Sequence, residues 1–293
     1  MKYRDAAAFR QALEKRLKAQ AGGDVARLAR DRKRVAFDRL LARLDAVARS
    51  RWVLKGGFAL DLRLSERARA TRDIDIDWQA DEEELADVLI EAAGHVSDDF
   101  FAFEIERAGT PPERLGGSYR FRVTASLAGR QFERFWLDVG VRPPPAEGCD
   151  MLTTPDLLAF AEIAPVEVQA VRLGRHVAEK VHAYTRRYGD DQPSSRSKDL
   201  IDIVLMSELA SYSFDRLRGT IVRLFEARAT HDLPSSLAAP PSEWSIPYRA
   251  LAVEVGVDPD LTVGHRLAAA FLDPILVSDP GHVRWDAAAA AWL

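Results

Sequence analysis

Asp73, Asp75 and Asp77 alternate with Ile74 and Ile76 in the run RDIDIDW, and on a strand that alternation sends Asp73 and Asp75 to one face. Two neighbouring carboxylates resist ionising together unless a cation neutralises them, so the pattern suits a magnesium ion. A solvated sheet edge is the plainer alternative. Upstream, VLKGGFALDLRL places Gly56 and Gly57 between a short apolar segment and a helix-like one. Glycines let a phosphate approach the backbone, and the first turn of the helix offers it unsatisfied N–H groups. Lys55 adds a cation beside the turn. Taken in order, the turn, helix and acidic strand describe a triphosphate lying next to a metal ion on Asp73 and Asp75.

A third carboxylate is expected on a neighbouring strand. Asp138 fits, within the apolar run FERFWLDVGV, where an unpaired charge is costly. With Asp73 and Asp75 it would hold a second metal, so that one ion clamps the triphosphate and the other lowers the pKa of an attacking hydroxyl. The competing reading pairs Asp138 with a local arginine. Asp77, at the strand end beside Trp78, is expected outside the set as a solvated or capping group. His176 and His182 are not within a turn of each other and have no cysteine nearby, which argues against zinc. Ser194, Ser195 and Ser197 sit in a polar stretch with no Ser-His-Asp arrangement.

The elements that must position these groups follow from periodicity. Residues 3–21 and 24–49 predict two amphipathic helices broken at Gly22-Gly23. A strand is predicted over Arg51 to Leu54, then a helix over Phe58 to Leu64, the acidic strand, and a helix beginning at Asp81. A strand follows over Phe101 to Arg107, a loop is framed by Pro111-Pro112 and Gly116-Gly117, and Tyr119 to Leu127 pairs with Gln131 to Val141 in a hairpin. In the last strand Phe132, Arg134, Trp136 and Asp138 are expected to share a face. Pro143-Pro144-Pro145 reads as a domain boundary, dividing the chain into residues 1–145 and 146–293. Beyond it helices are predicted over Leu157 to Ile163, about Val166 to Tyr188, Lys198 to Leu209 and Phe214 to Arg228. LPSSLAAPPSEWSIPY reads as loop, and helices near Ala250 and Leu267 finish the chain.

A chain of 293 residues with 47% hydrophobic content can bury a substantial core. The single cysteine, Cys149, a non-apolar N-terminus and the lack of a membrane-length apolar run point to a reducing cytoplasmic setting. Charge is uneven: residues 1–51 hold 15 Lys or Arg against 6 Asp or Glu, a net of +9, while the remainder holds 26 against 39, a net of −13. The basic part reads either as a solvated helix face or as a phosphate-contacting patch.

KGGFAL, followed after a charged spacer by ATRDIDID, resembles the nucleotidyltransferase signature of the AbiEii/AbiGii toxin family, which has the DNA polymerase beta-like nucleotidyltransferase fold. Arg69, Thr71, Asp73 and Asp75 occupy the places of the family's Arg-x-Ser/Thr-x-Asp-x-Asp strand. Glu179-Lys180-Val181-His182-Ala183 with Arg186 matches a later Lys-containing helix motif, and Lys198-Asp199-Leu200-Ile201-Asp202 a downstream Arg/Lys-Asp-x-x-Asp motif. PPSEWSIPY resembles the family's proline and tryptophan pattern, so the likeness runs from about Arg30 to Ala250.

The resemblance implies an α+β protein: a mixed sheet with N-terminal helices and a C-terminal helical bundle, the active site lying in the cleft between. It implies a Mg2+-dependent toxin that transfers nucleotides from a nucleoside triphosphate and is paired with an antitoxin. Mycobacterial relatives add nucleotides to the 3′ end of tRNA, which blocks aminoacylation and translation. Carried over by motif, Asp73, Asp75, Lys180 and Asp202 are the catalytic set, with Lys180 at the triphosphate. Gly56, Gly57, Lys55 and Thr71 lie on the nucleotide side, and Thr71 matches a position phosphorylated in some relatives. A small molecule or protein acceptor, or a silent nucleotide- or partner-binding protein, is the alternative. The family's Gly-Gly-Ser or Gly-Gly-Thr is Gly-Gly-Phe here, so Phe58 supplies no hydroxyl to the phosphates. RNA is expected to dock on the basic N-terminal helices and on the arginine-rich helix carrying Arg172, Arg175, Lys180, Arg186 and Arg187.

Overall fold

The computed structural model describes residues 1–108, 118–145, 147–186, 196–278 and 283–293. The Pro111-Pro112 and Gly116-Gly117 loop, Arg187, Ser194 and Ser195 lie outside the described residues. Two compact units are formed, Met1–Val171 and Arg172–Leu293.

The first unit opens with α1 (Ala6–Ala21) and α2 (Val25–Ala48). Asp5 accepts from the N–H groups of Ala7 and Ala8, and Gly22 closes α1 in the left-handed region; Asp24 then caps α2 through the N–H of Arg27. After β1 (Trp52–Lys55), α3 (Gly56–Leu64), β2 (Asp73–Trp78) and α4 (Leu85–Gly94), the chain forms β3 (Phe101–Arg107), β4 (Ser118–Leu127) and β5 (Arg130–Val141). Two more strands, β6 (Cys149–Thr153) and β7 (Glu167–Val171), complete a seven-stranded mixed sheet in the order β3-β4-β5-β2-β1-β7-β6. Strand β1 runs antiparallel to β2 and parallel to β7, and β2 runs parallel to β5. One sheet face packs against the N-terminal helices through a core including Phe37, Leu40, Ile74, Ile76, Phe135 and Leu137.

Three expectations change here. Strands β6 and β7 follow the triple proline and pair into the same sheet, so the boundary falls after Val171 rather than at Pro143–Pro145. The helix expected from Val166 is strand over Glu167–Val171 and becomes helical only at Leu173; alternating burial at Val168 and Ala170 beside the parallel partner β1 outweighs local helix preference. The helix expected over Leu157 to Ile163 contracts to a single turn, Ala159–Ala161, ended by Glu162 in the left-handed region.

Much of the basic charge along α2 is turned inward, while Lys15, Arg16 and Lys18 of α1 stay exposed. Arg43, 1% exposed, donates to both carboxylate oxygens of Asp99 at 2.8 Å and to the carbonyl of Phe101. Arg34 grips Asp61 of α3 at 2.8 and 2.9 Å and also reaches the Ser65 carbonyl. Arg39 pairs with Asp38, Lys33 with Glu133, Arg30 donates to the Ala68 carbonyl, and Arg32 donates to the Phe132 carbonyl while lying over its ring. A planar guanidinium satisfies several buried acceptors at once. These cations fasten α2 to the sheet and to α3.

The second unit contains α5 (Leu173–Thr185), α6 (Ser197–Leu209), α7 (Phe214–Arg228), α8 (Ser245–Val255) and α9 (Leu261–Val277), with a short pair β8 (Trp285–Asp286) and β9 (Ala291–Trp292). Helix α6 is buried on nearly every side, which explains its apolar run LIDIVLM. Trp285 and Trp292 close on Phe271 at ring separations of 4.8 and 5.9 Å. WSIPY, read as loop, enters α8, because Pro247 falls in the first turn, where its missing N–H leaves no bond unmade. Among the described residues no helix is long and apolar enough to cross a membrane.

Candidate nucleotidyl-transfer site

Register builds the site in the first unit. On adjacent strands Asp75 lies opposite Asp138 of β5 and opposite Lys55 of β1, Asp73 lies opposite Trp136, and Asp77 opposite Gly140. In-register neighbours project to the same side, so Lys55, Asp73, Asp75, Asp77, Trp136 and Asp138 share one face, with Ile74 and Ile76 in the core behind them.

The glycine turn serves the carboxylates directly. Gly56 has φ +67°, and a Cβ there would stand 1.9 Å from Oδ2 of Asp75; a Cβ on Gly57 would stand 2.6 Å from Oγ1 of Thr71. Both glycines therefore make room for site side chains, and the Asp75 carboxylate lies at the positive end of α3, whose N-terminus has no side-chain cap. Thr71 donates to the Asp73 carbonyl at 3.3 Å. Gly56→Ala is expected to displace Asp75 and strain the backbone, lowering transfer activity as severely as an Asp75 variant and stability by about 1–3 kcal/mol. Activity and thermal melting of the purified variant check this.

Phe58 packs edge-on against Phe37 of α2 at 4.9 Å and is fully buried. Its side chain belongs to the core.

Asp77 is neither solvated nor a cap. It is 7% exposed and ion-paired with Lys55, and the pair fills the space a side chain at Gly140 would need: a Cβ there would meet Asp77 at 2.7 Å and Lys55 at 3.1 Å. Lys55, expected at the phosphates, is thus held within the sheet face.

Asp138 stands beside Asp75 as expected, but Arg120 of β4 donates to both of its oxygens at 2.6 Å. The hydrogen bonds from Arg120 to Asp138 lead in holding the guanidinium charged, and the fields of Asp73 and Asp75 add to them. A local arginine on Asp138 was the competing reading of the sequence, and hairpin register makes that arginine Arg120. Pairing changes from Ser126↔Gln131 to Ala125↔Glu133, so β5 carries one extra residue at Phe132. The bulge sends Phe132 into the core with Phe135 and Leu137, away from Trp136 and Asp138, and moves Asp138 opposite Arg120.

The family implies a divalent cation. Asp73 and Asp75 are hard oxygen donors on one face, and magnesium is commonly held by one or two carboxylates together with substrate phosphates, so these two residues fit it. Among the described residues no group of three or more His, Cys, Asp or Glu is placed to hold a metal. The three-carboxylate, two-metal arrangement is thus not formed with Asp138 on Arg120.

In the second unit Lys180 and Asp202 do meet. Lys180 Nζ lies 2.6 Å from Asp202 and 3.1 Å from Asp199, both carboxylates are fully buried, and Arg196 approaches Asp199 at 3.1 Å. The two later motifs therefore form one buried ionic cluster joining α5 to α6, with Asp199 as part of it.

His182 on α5 donates from Nε2 to Thr230 at 2.8 Å, accepts from Arg228 at Nδ1 at 3.2 Å and faces the ring of His231. Burial, with the charge of Arg228, lowers its pKa from 6.5 to about 3. The folded imidazole stays neutral while the unfolded one takes a proton, so stability is fully present above 6.5 and is lost as pH falls towards 3. Urea midpoints are expected to fall between about pH 7 and about pH 5, with a shallower slope in His182→Gln.

Over residues 39–290 the sequence matches the family described as nucleotidyl transferase AbiEii toxin, type IV TA system. Among solved structures the fold is similar to MenT4, a nucleotidyltransferase toxin from Mycobacterium tuberculosis H37Rv, with 18% identity and a TM-score of 0.56 over 87% of this chain and 93% of that one. JHP933 from Helicobacter pylori aligns with 14% identity and a TM-score of 0.46 over 84% and 93% of the two chains. The likeness to MenT4 is one of fold. No curated protein sequence matches the chain.

Proposed function

The chain belongs to the AbiEii family of nucleotidyltransferase toxins, and from that premise we propose that it adds nucleotides from a nucleoside triphosphate to the 3′ end of tRNA, preventing aminoacylation. The observation that carries the chemistry is the single sheet face on which Asp73 and Asp75 lie beside the uncapped N-terminus of α3. Support for the tRNA acceptor comes from the family resemblance.

In this reading the RNA 3′-hydroxyl attacks the α-phosphorus, the bond from that phosphorus to the bridging oxygen of the β-phosphate breaks, pyrophosphate leaves, and the hydroxyl proton passes to solvent. Mg2+ held by Asp73 and Asp75 would supply charge neutralisation and acidify the hydroxyl. Backbone N–H groups of Gly57 and Phe58 orient phosphate oxygens. Thr71, against Gly57, fixes the turn, and a phosphate on its hydroxyl would add negative charge where the triphosphate must approach. Trp136 and the exposed Arg122 and Arg134 lie on the same side of the sheet as Asp73 and suit a stacked base and the RNA backbone. Arg122 pairs with Glu106 at 3.1 Å on the surface, a weak bond easily exchanged for phosphate. This face joins the exposed cations of α1 as a docking surface, since Arg34 and Arg43 of α2 are engaged inside the unit. A cognate antitoxin and a cytoplasmic setting accompany the reading.

Purified protein incubated with total tRNA and each labelled triphosphate in turn is expected to label RNA only when Mg2+ is present. Label that survives RNase treatment would shift the acceptor to a protein or small molecule. The silent-protein reading leans on the missing hydroxyl at Phe58, and nucleotide binding without pyrophosphate release, measured by calorimetry, would favour it.

A further inference from the structure

Asp138 is in register with Asp75, on the face where a third ligand would be useful, yet both of its oxygens are taken by Arg120. The Arg120 side chain is 42% exposed and lies over Trp136, its centre 5.4 Å from the ring. Nothing in that geometry buries the guanidinium irreversibly: the pair sits at the surface, where an ion pair exchanges readily. A guanidinium also matches a phosphate in the same two-pronged way as it matches a carboxylate.

We propose that Arg120 is a built-in counter-ion that occupies the third carboxylate of the site and exchanges Asp138 for the triphosphate when nucleotide arrives. Arg120 is then a substrate-binding residue, and its departure makes Asp138 available beside Asp75 only in the nucleotide-bound chain. Cation affinity and nucleotide arrival are thereby coupled. The inference rests on the assignment of Asp73 and Asp75 as the cation-holding pair.

The coupling gives one substitution two effects of opposite sign. Mn2+ binding, followed by electron paramagnetic resonance without nucleotide, is expected to tighten about 5- to 10-fold in Arg120→Gln, because Asp138 is released and a competing cation removed. Adding Asp138→Asn to that variant is expected to abolish most of the gain. Binding of inorganic tripolyphosphate in EDTA, measured by calorimetry, is expected to weaken about 10-fold in Arg120→Gln. A merely structural arginine would weaken both or change neither. Unchanged or weaker Mn2+ binding in Arg120→Gln overturns the proposal, as does a gain that persists in full without Asp138. Unchanged tripolyphosphate binding does so as well. Asp75→Asn separates the two readings: if it leaves wild-type Mn2+ binding unaltered, the assignment of the cation pair fails; if it abolishes binding while Arg120→Gln has no effect, the Arg120 proposal alone fails.

Discussion

Asp75→Asn is expected to lower nucleotide incorporation into RNA on the order of 10²- to 10³-fold, the loss that follows removal of one preorganised charged group at a reacting centre, while the fold stays intact. The substitution keeps the size of the side chain, so the space left by Gly56 remains filled. It also removes one charge from a face carrying Asp73, Asp75, Asp77 and Asp138, which relieves repulsion but gives up the attraction to the N-terminus of α3, and with the two effects opposed thermal stability should change little. Incorporation of labelled nucleotide and a melting curve on the same preparation check both halves. Full activity in Asp75→Asn would remove the aspartate pair from the chemistry. Asp77→Asn provides the contrast. It neutralises the carboxylate paired with a mostly buried Lys55, so its first effect should be on stability and its effect on the rate smaller.

Lys180→Met carries the largest expected cost in stability, about 3–5 kcal/mol, because it removes the cation that two buried carboxylates share and leaves Arg196 to act on Asp199 alone. Asp199 and Asp202 are both fully buried, and Lys180 lies within 3.1 Å of each. Urea unfolding followed by circular dichroism should show the loss. Replacing the cluster as a whole, Lys180→Met with Asp199→Asn and Asp202→Asn, should recover much of it, since a buried ionic group costs most when only one partner is removed. Wild-type stability in Lys180→Met would mean that the cluster is not a fastening. The consequence for function is direct: inactivity of a Lys180 variant reports on chemistry only after its folding has been measured, whereas Asp75→Asn reports on chemistry from the outset.

Much of the fold could be read from local signals. The boundaries of α1, α2, α6 and α7 follow from helical periodicity, with caps at Asp5, Gly22 and Asp24. The strand DIDIDW is fixed by strict alternation, which also put Asp73 and Asp75 on one face without reference to any partner. Strand β7 was not legible, since EVQAV has no turn signal separating it from the helix that follows and becomes a strand only because Leu54 of β1 lies beside Ala170.

The sequence by itself determined the chemistry on offer: an aspartate pair on an alternating strand, glycines just ahead of a helix, and motifs in an order that marks the family. Those properties are set within a few residues of one another. Tertiary structure decided which charges are committed and to whom. Arginines that look like a nucleic-acid patch turn inward because Asp61 and Asp99 come to them from distant segments. Glycines that look like a phosphate cradle are there because Asp75 and Thr71 fill their Cβ space. One extra residue in β5, at Phe132, changes which side chain faces Arg120 and so takes Asp138 out of the resting cation site. A charge is an attribute of a residue, but its partner depends on register and packing, and both are fixed only when distant segments meet.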